Sequence, residues 1–181
     1  MKRFLFTTLT LLIFLFSVNA QKTTITNLEV DKLISPSGLD NKNPDFSWII
    51  KSEGYDVVQT HYQIFVATDE VFSKNSLVWD SGKVSSDESV YVKYAGEVLL
   101  YDTKYYWTVK VWTNQSKRAT QSKIMNWKTG LMNADNWKSN WITVDNRDIT
   151  SPKIPYFIND FRVDSKIISA NLYITSRGVY E

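Results

Sequence analysis

Apolar and polar residues alternate along much of this chain with a period of two, the pattern of a β-strand with one face buried and one face in solvent. This alternation predicts seven strands, at residues 24–30, 45–51, 61–68, 77–84, 90–93, 104–113 and 123–129. Turn-forming residues separate them, in clusters at residues 35–38, 41–44, 80–82 and 114–116. No long segment carries apolar residues at helical spacing. The pattern therefore predicts an all-β fold of the β-sandwich type.

The alternation also predicts which side chains form the core of the sandwich. The apolar faces of three strands consist of Phe46, Trp48 and Ile50; Tyr62, Ile64 and Val66; and Tyr105, Trp107, Val109 and Val111. Burying one large apolar side chain stabilises a fold by about 1.5–3 kcal/mol, so we expect these faces to meet in one core. The chain contains 7 Trp, 10 Tyr, 9 Phe and no Cys, so packing rather than disulfide bonding must stabilise it.

A tyrosine motif narrows the type of sandwich. Leu99, Thr103 and Tyr105 have the spacing of a tyrosine corner, in which a tyrosine hydroxyl bonds back to the backbone of the preceding loop. Together with Trp48 in the second predicted strand, this motif resembles the fibronectin type III and immunoglobulin-like sandwiches. We therefore expect a fold of that type.

The first twenty residues have the pattern of a secretory signal peptide. Lys2 and Arg3 precede an apolar run over residues 4–16, and Val18 and Ala20 are the small residues at positions −3 and −1 before Gln21. The apolar run is shorter than the roughly 20 residues that span a bilayer, which disfavours a membrane anchor. We predict export to the periplasm or the medium, cleavage after Ala20 and no stable membrane insertion.

The charge of the predicted mature chain excludes some partners. The formal net charge of +2 becomes zero without residues 1–20, because that segment contains Lys2 and Arg3 and no acidic residue. A neutral chain with interspersed charges has no electrostatic footprint for nucleic acid. The absence of cysteine also excludes thiolate metal sites and cysteine nucleophiles.

Several motifs in register resemble the N-terminal region of bacterial α-L-rhamnosidases of glycoside hydrolase family 78. They are the segments 43–48 (NPDFSW), 59–67 (QTHYQIFVA), 79–84 (WDSGKV), 105–112 (YYWTVKVW), 127–131 (WKTGL), 137–142 (WKSNWI), 172–174 (LYI) and 177–181 (RGVYE). Each motif alone is weak evidence for the family. Together, in this order, the motifs extend over nearly all of the chain after residue 20.

The signal-peptide pattern and the resemblance together divide the chain into three parts. Residues 1–20 would be the signal peptide, residues 21–132 a fibronectin type III-like sandwich, and residues 133–181 the beginning of a second sandwich. The first strands of that second sandwich are expected at residues 141–144, 156–163 and 167–175. Alternation over residues 168–175, shortly before the chain ends at Glu181, leads us to expect an incomplete sheet.

The resemblance places the catalytic residues in an (α/α)₆ barrel further along the polypeptide, so no catalytic, cofactor-binding or metal-binding residue is predicted in this chain. The acidic pair Asp87 and Glu88 is interpreted as part of a solvated loop. His61 is expected to have a surface or interface role, because it lies on the strand face opposite the core, and one histidine without cysteine or suitably spaced acids makes no metal site. The expected partners are the missing barrel and, through the full enzyme, a rhamnosylated glycan that it hydrolyses by an inverting mechanism.

Three aromatic residues lie on the strand faces opposite the predicted core: Phe65, Tyr106 and Trp112. Exposed aromatic rings stack on sugars in carbohydrate-binding modules, but they also pack against neighbouring domains, and we favour the second interpretation. Two functional classes thus stay open. The chain is either the non-catalytic N-terminal portion of an exported α-L-rhamnosidase or a self-standing secreted sandwich that binds a glycan or a protein.

Overall fold

A computed structural model describes residues 23–143, 156–168 and 170–176 of the chain. The strands in chain order are β1 (Thr23–Val30), β2 (Ser37–Leu39), β3 (Asp45–Ser52), β4 (Gln59–Ala67), β5 (Leu77–Asp80), β6 (Val84–Ser85), β7 (Val92–Lys93), β8 (Lys104–Thr113), β9 (Ser116–Gln121) and β10 (Met125–Thr129). A short 3₁₀ helix at Ala134–Asn136 follows. The prediction of an all-β chain is confirmed. The predicted signal peptide, residues 1–20, lies outside the described residues.

The strands form two sheets of a sandwich. The smaller sheet has the order β1-β3-β7, and the larger has the order β2-β10-β8-β4-β5, with β6 paired to β4 and β9 paired to β8. The pairings are antiparallel except that β2 runs parallel to β10. On the side of β8 opposite β4, the successive strands β9 and β10, separated by residues 122–124, both pair with β8.

The core lies between the sheets and matches the predicted faces. Phe46, Trp48, Ile64, Val66, Tyr105, Trp107, Val109, Val111 and Trp127 are each no more than 1% exposed. Aromatic rings make up much of it: the ring centroids of Phe46 and Trp107 are 4.7 Å apart, and those of Tyr105 and Trp127 are 5.2 Å apart. Pairs of aromatic rings stabilise a core by more than the burial of their apolar area alone would.

The tyrosine corner is formed as predicted. The backbone N–H of Leu100 donates a hydrogen bond of 2.8 Å to the hydroxyl oxygen of Tyr105, which closes the loop before β8. Burial raises the pKa of the Tyr105 hydroxyl, and burial likewise raises the pKa of Tyr94 in the same core. Both hydroxyl groups therefore stay protonated at neutral pH and act in packing and hydrogen bonding.

Two strands were not predicted from the sequence. Residues 35–38 were expected to form a turn, but Ser37–Leu39 is strand β2 because the β10 backbone binds its flanks: Lys128 N donates to Pro36 O at 2.8 Å, and Gly130 N donates to Leu39 O at 2.9 Å. Strand β9 is almost wholly exposed and polar, so it shows no apolar alternation. The predicted run 77–84 is divided into β5 and β6, because Gly82 adopts a left-handed φ of 65° between them.

The chain divides into two compact units, Met1–Lys138 and Ser139–Glu181. In the described residues of the second unit, the strands predicted at residues 141–144, 156–163 and 167–175 are not formed; residues 144 and 169 themselves lie outside those residues. The side chains described over 156–168 and 170–176 are exposed. A strand needs the backbone of a neighbour for its hydrogen bonds, and the described residues of this unit supply no paired strand, so alternation alone does not produce one.

Candidate functional site

The acidic residues singled out in the sequence lie in a solvent-exposed loop. Asp87 and Glu88 are both exposed, in the loop between β6 and β7. Two hydrogen bonds from the core fix this loop. The side-chain amide of Gln59 donates to the backbone oxygen of Ser86 at 3.1 Å and to that of Glu88 at 2.7 Å. Its order therefore comes from backbone contacts to a buried glutamine, which leaves the two carboxylates facing solvent.

The described residues contain neither a metal-binding cluster nor a membrane-spanning helix. Over residues 23–143, 156–168 and 170–176, no group of three or more His, Asp or Glu side chains is arranged to hold a metal ion. Within the same ranges, no helix has the length and apolar character needed to cross a membrane.

The single histidine lies on the outer face of the larger sheet, as the sequence predicted. His61 is half-buried in β4, in register with Trp112 on β8, and its ring nitrogen Nδ1 is 3.1 Å from the hydroxyl oxygen of Thr60. The histidine therefore belongs to a surface that also contains the outward-facing aromatic residues.

The three outward-facing aromatic side chains are all half-buried on this outer face. A lysine ammonium group lies over each ring: Lys83 Nζ is 4.5 Å from the centroid of Trp112, Lys104 Nζ is 5.0 Å from that of Tyr106, and Lys110 Nζ is 4.9 Å from that of Phe65. We call this set the lysine–aromatic face. The rings were predicted from the sequence and the lysines were not, although Lys104, Tyr106, Lys110 and Trp112 share one face of β8 by simple alternation.

A second built feature is the segment that follows β10, which we call the exit segment, residues 130–137. The Asp40 carboxylate accepts a hydrogen bond of 2.8 Å from Met132 N, and Lys42 Nζ donates to Asn133 Oδ1 at 3.2 Å. Asn136 Nδ2 donates to Leu131 O at 2.6 Å, within the segment itself. The loop before β3 thus fixes the direction in which the backbone leaves the last strand.

Gly130 shows how closely the exit segment is packed. A Cβ atom at this position would overlap the Asp40 carboxylate and lie 2.9 Å from the backbone oxygen of Gly38. Beyond it, residues including Leu131, Asn133 and Trp137 line an open depression of about 300 Å³. Trp137 is half-buried there, which ties the last residues of the first unit to the sandwich.

These features define a class of protein: an immunoglobulin-like β-sandwich whose last strand leads into a fixed exit segment. A family model described as "Rha78A-like, N-terminal immunoglobulin domain" matches residues 25–133. The chain belongs to this family.

Curated relatives agree with the family. An α-L-rhamnosidase from Formosa agariphila is 32% identical over 207 residues, an alignment that includes 99% of this chain and 22% of that enzyme. An α-L-rhamnosidase from Streptomyces avermitilis is 40% identical over 119 residues, which cover 66% of this chain and 12% of the enzyme. The chain thus spans about a fifth or less of the length of these relatives.

Solved structures show the same fold. The S. avermitilis α-L-rhamnosidase complexed with L-rhamnose superposes with a TM-score of 0.64 at 38% identity, over 67% of this chain and 12% of that one. The α-L-rhamnosidase of Dictyoglumus thermophilum gives 0.63 at 37% identity, over 68% of this chain and 14% of that one. The sequence-based resemblance to α-L-rhamnosidases is confirmed for the N-terminal immunoglobulin domain.

Proposed function

We propose that this chain is the non-catalytic N-terminal portion of an exported α-L-rhamnosidase that removes terminal α-L-rhamnose from glycans with inversion. The observation that carries the proposal is the family match over residues 25–133, in a chain that covers only 12–22% of two α-L-rhamnosidases related to it. An inverting glycosidase needs two carboxyl groups about 6.5–9.5 Å apart across a sugar-binding cleft. We place that pair in the part of the enzyme that this chain does not include.

The contribution of the module itself is mechanical. The aromatic core makes the sandwich rigid, and the hydrogen bonds from Asp40 and Lys42 hold the exit segment against it. A rigid module with a fixed exit limits the directions in which the following polypeptide can leave. In the enzyme, this restraint would act at the start of the polypeptide that leads towards the catalytic barrel.

Export is the second part of the proposal. It rests on the basic residues Lys2 and Arg3, the short apolar run and the small residues before Gln21. Expression in a Gram-negative host followed by N-terminal sequencing of the periplasmic product tests it. We expect the sequence to begin at Gln21, whereas a product that keeps residues 1–20 would contradict cleavage after Ala20.

The absence of chemistry from this portion is tested with the chain alone. Purified protein, folded as judged by circular dichroism, is incubated with an aryl α-L-rhamnoside, and we expect release of the aryl alcohol at the rate of the buffer blank. The relative from S. avermitilis serves as the positive control. Turnover by the purified chain that persists through successive columns would contradict the placement of both carboxyl groups elsewhere.

A further inference from the structure

The lysine–aromatic face follows one strand of the larger sheet. Along β8, the outward side chains Lys104, Tyr106, Lys110 and Trp112 form a row about 27 Å long at the rise of an antiparallel strand. Thr108, between them on the same side of the strand, is buried and bonded to Ser122. Phe65 of β4 lies in register with Thr108 and fills the middle of the row. Lysine and aromatic side chains therefore recur from one end of the strand to the other.

The rings hold the ammonium groups in place. A lysine side chain is flexible in solution, but a cation over an aromatic face is attracted by the electrons of the ring. In the described part of the chain, neither Lys83 nor Lys110 takes part in a salt bridge. Their charges are thus positioned without being neutralised, and a ligand that binds them loses less conformational entropy than one that must order free lysines.

One acid lies in register with this face and is held by its own hydrogen bonds. Asp80 lies opposite Phe65, and its carboxylate oxygen Oδ1 accepts hydrogen bonds from Gln63 Nε2 at 2.7 Å and from Gly82 N at 2.8 Å. Both donors are neutral, so Asp80 keeps its charge, but among the described residues it forms no salt bridge with Lys83 or Lys110. The lysines remain available to an outside anion.

Two other ligands fit this face less well. A neutral sugar that stacked on a ring would have to displace the lysine above it, because each ring carries an ammonium group about 4.5–5.0 Å from its centroid. A protein surface that packed dry against the rings would have to desolvate the same ammonium groups, and lysine is depleted in the cores of protein interfaces for that reason. A hydrated chain that carries anionic groups avoids both penalties.

We propose that the lysine–aromatic face binds a polysaccharide that carries carboxylate or sulfate groups. The anionic groups would pair with Lys83, Lys104 and Lys110, and the sugar rings would lie along β8 between them. This inference does not rest on the proposed function, since a module of either an enzyme or a self-standing binding protein could use the face. Within an enzyme it would hold the chain on an anionic substrate surface.

Binding is measured by titration calorimetry and by affinity electrophoresis of the full chain at low salt. Polygalacturonate supplies carboxylates, dextran sulfate supplies sulfates, and unmodified dextran is the neutral probe. We expect binding to at least one anionic probe, which identifies the preferred group, weakening at 0.5 M salt as screening shortens the range of the charges. Absence of binding to both anionic probes, or equal binding to dextran, would overturn the proposal.

A pair of matched double variants localises the site. Lys83→Gln with Lys110→Gln removes two charges from the face, whereas Lys32→Gln with Lys51→Gln removes two exposed charges elsewhere, one of which, Lys32, also lies over a ring, that of Tyr91. At about 0.5–1 kcal/mol per exposed pair, the first variant is expected to bind about 5- to 30-fold more weakly and the second within about 2-fold of the parent. Equally weakened binding in both variants would mean that net charge alone controls binding, and would overturn the assignment of the site to this face.

Chemical-shift mapping separates a glycan from an acidic protein. An oligogalacturonate is expected to shift amide signals along β4 and β8, and a polyglutamate peptide of equal charge to shift them much less. Shifts as large with polyglutamate would assign the face to an acidic protein instead. Shifts confined to β1 and β3 would overturn the location.

Discussion

Replacing Trp107 with alanine is expected to lower the free energy of unfolding by about 3–5 kcal/mol, the loss typical of deleting a large aromatic side chain from a packed core. Trp107 is 0% exposed, and its ring lies 4.7 Å from that of Phe46 across the two sheets. The sandwich cannot collapse to fill the space, because β8 is paired on both sides, with β4 and β10. Since small domains are stabilised by about 5–15 kcal/mol in total, the variant should unfold at markedly lower urea.

Trp112→Ala is the matched control, because it removes the same side chain from the other face of the same strand. Trp112 is half-buried and contacts Lys83, so we expect a loss of about 1 kcal/mol. Urea unfolding of both variants and the parent, followed by circular dichroism, gives the comparison. Equal losses at the two positions would contradict the assignment of inner and outer faces along β8.

Gln59→Ala is expected to cost about 2–4 kcal/mol, although glutamine is not an apolar core residue. Gln59 is 6% exposed. Its side chain accepts a hydrogen bond of 3.0 Å from Trp48 Nε1 and donates hydrogen bonds to the backbone oxygens of Ser86 and Glu88. Truncation leaves the indole N–H buried without a partner and frees the loop that carries Glu88. A buried donor left unsatisfied costs its full desolvation penalty.

The control for this variant is Gln63→Ala, on the same strand with its side chain on the outer face. Gln63 donates a hydrogen bond of 2.7 Å to the Asp80 carboxylate at the surface, where water can replace the lost donor. We therefore expect the free energy of unfolding to fall by no more than about 0.5–1 kcal/mol. Thermal unfolding followed by near-ultraviolet circular dichroism also reports on the environment of Trp48. A Gln59→Ala protein as stable as Gln63→Ala would show that the buried network contributes little.

Features of this sandwich that depend on local alternation could be predicted, and those that depend on distant pairing could not. The inner faces of β3, β4 and β8 follow from period two, because every second residue is apolar and buried. Strand β2 has three residues and exists because β10 pairs with it from a distant part of the chain. Strand β9 is polar because it is exposed, so its hairpin with β8 leaves no hydrophobic signal.

The polar and charged contacts could not be predicted from sequence patterns either, because they join residues that are distant along the chain. Gln59 was recognised only as part of a motif, since nothing local shows that its amide lies under Trp48 and the loop of Glu88. The exit segment depends on Asp40, which is separated by 92 residues from Met132. For the lysine–aromatic face, the rings were predicted as exposed, but Lys83 reaches Trp112 from another part of the chain. In residues 156–168 and 170–176, alternation was present without the paired backbone that makes a strand.

The most direct test of the account replaces the matching N-terminal segment of the S. avermitilis α-L-rhamnosidase with residues 23–138 of this chain, which contain the sandwich and its exit segment. If the module supports the catalytic part without supplying chemistry, a folded chimera should hydrolyse an aryl α-L-rhamnoside with kcat/KM within about tenfold of the parent enzyme, a difference of about 1.4 kcal/mol. A folded chimera that binds L-rhamnose and yet has lost hydrolysis would contradict the account, because the replaced segment would then have carried catalytic groups.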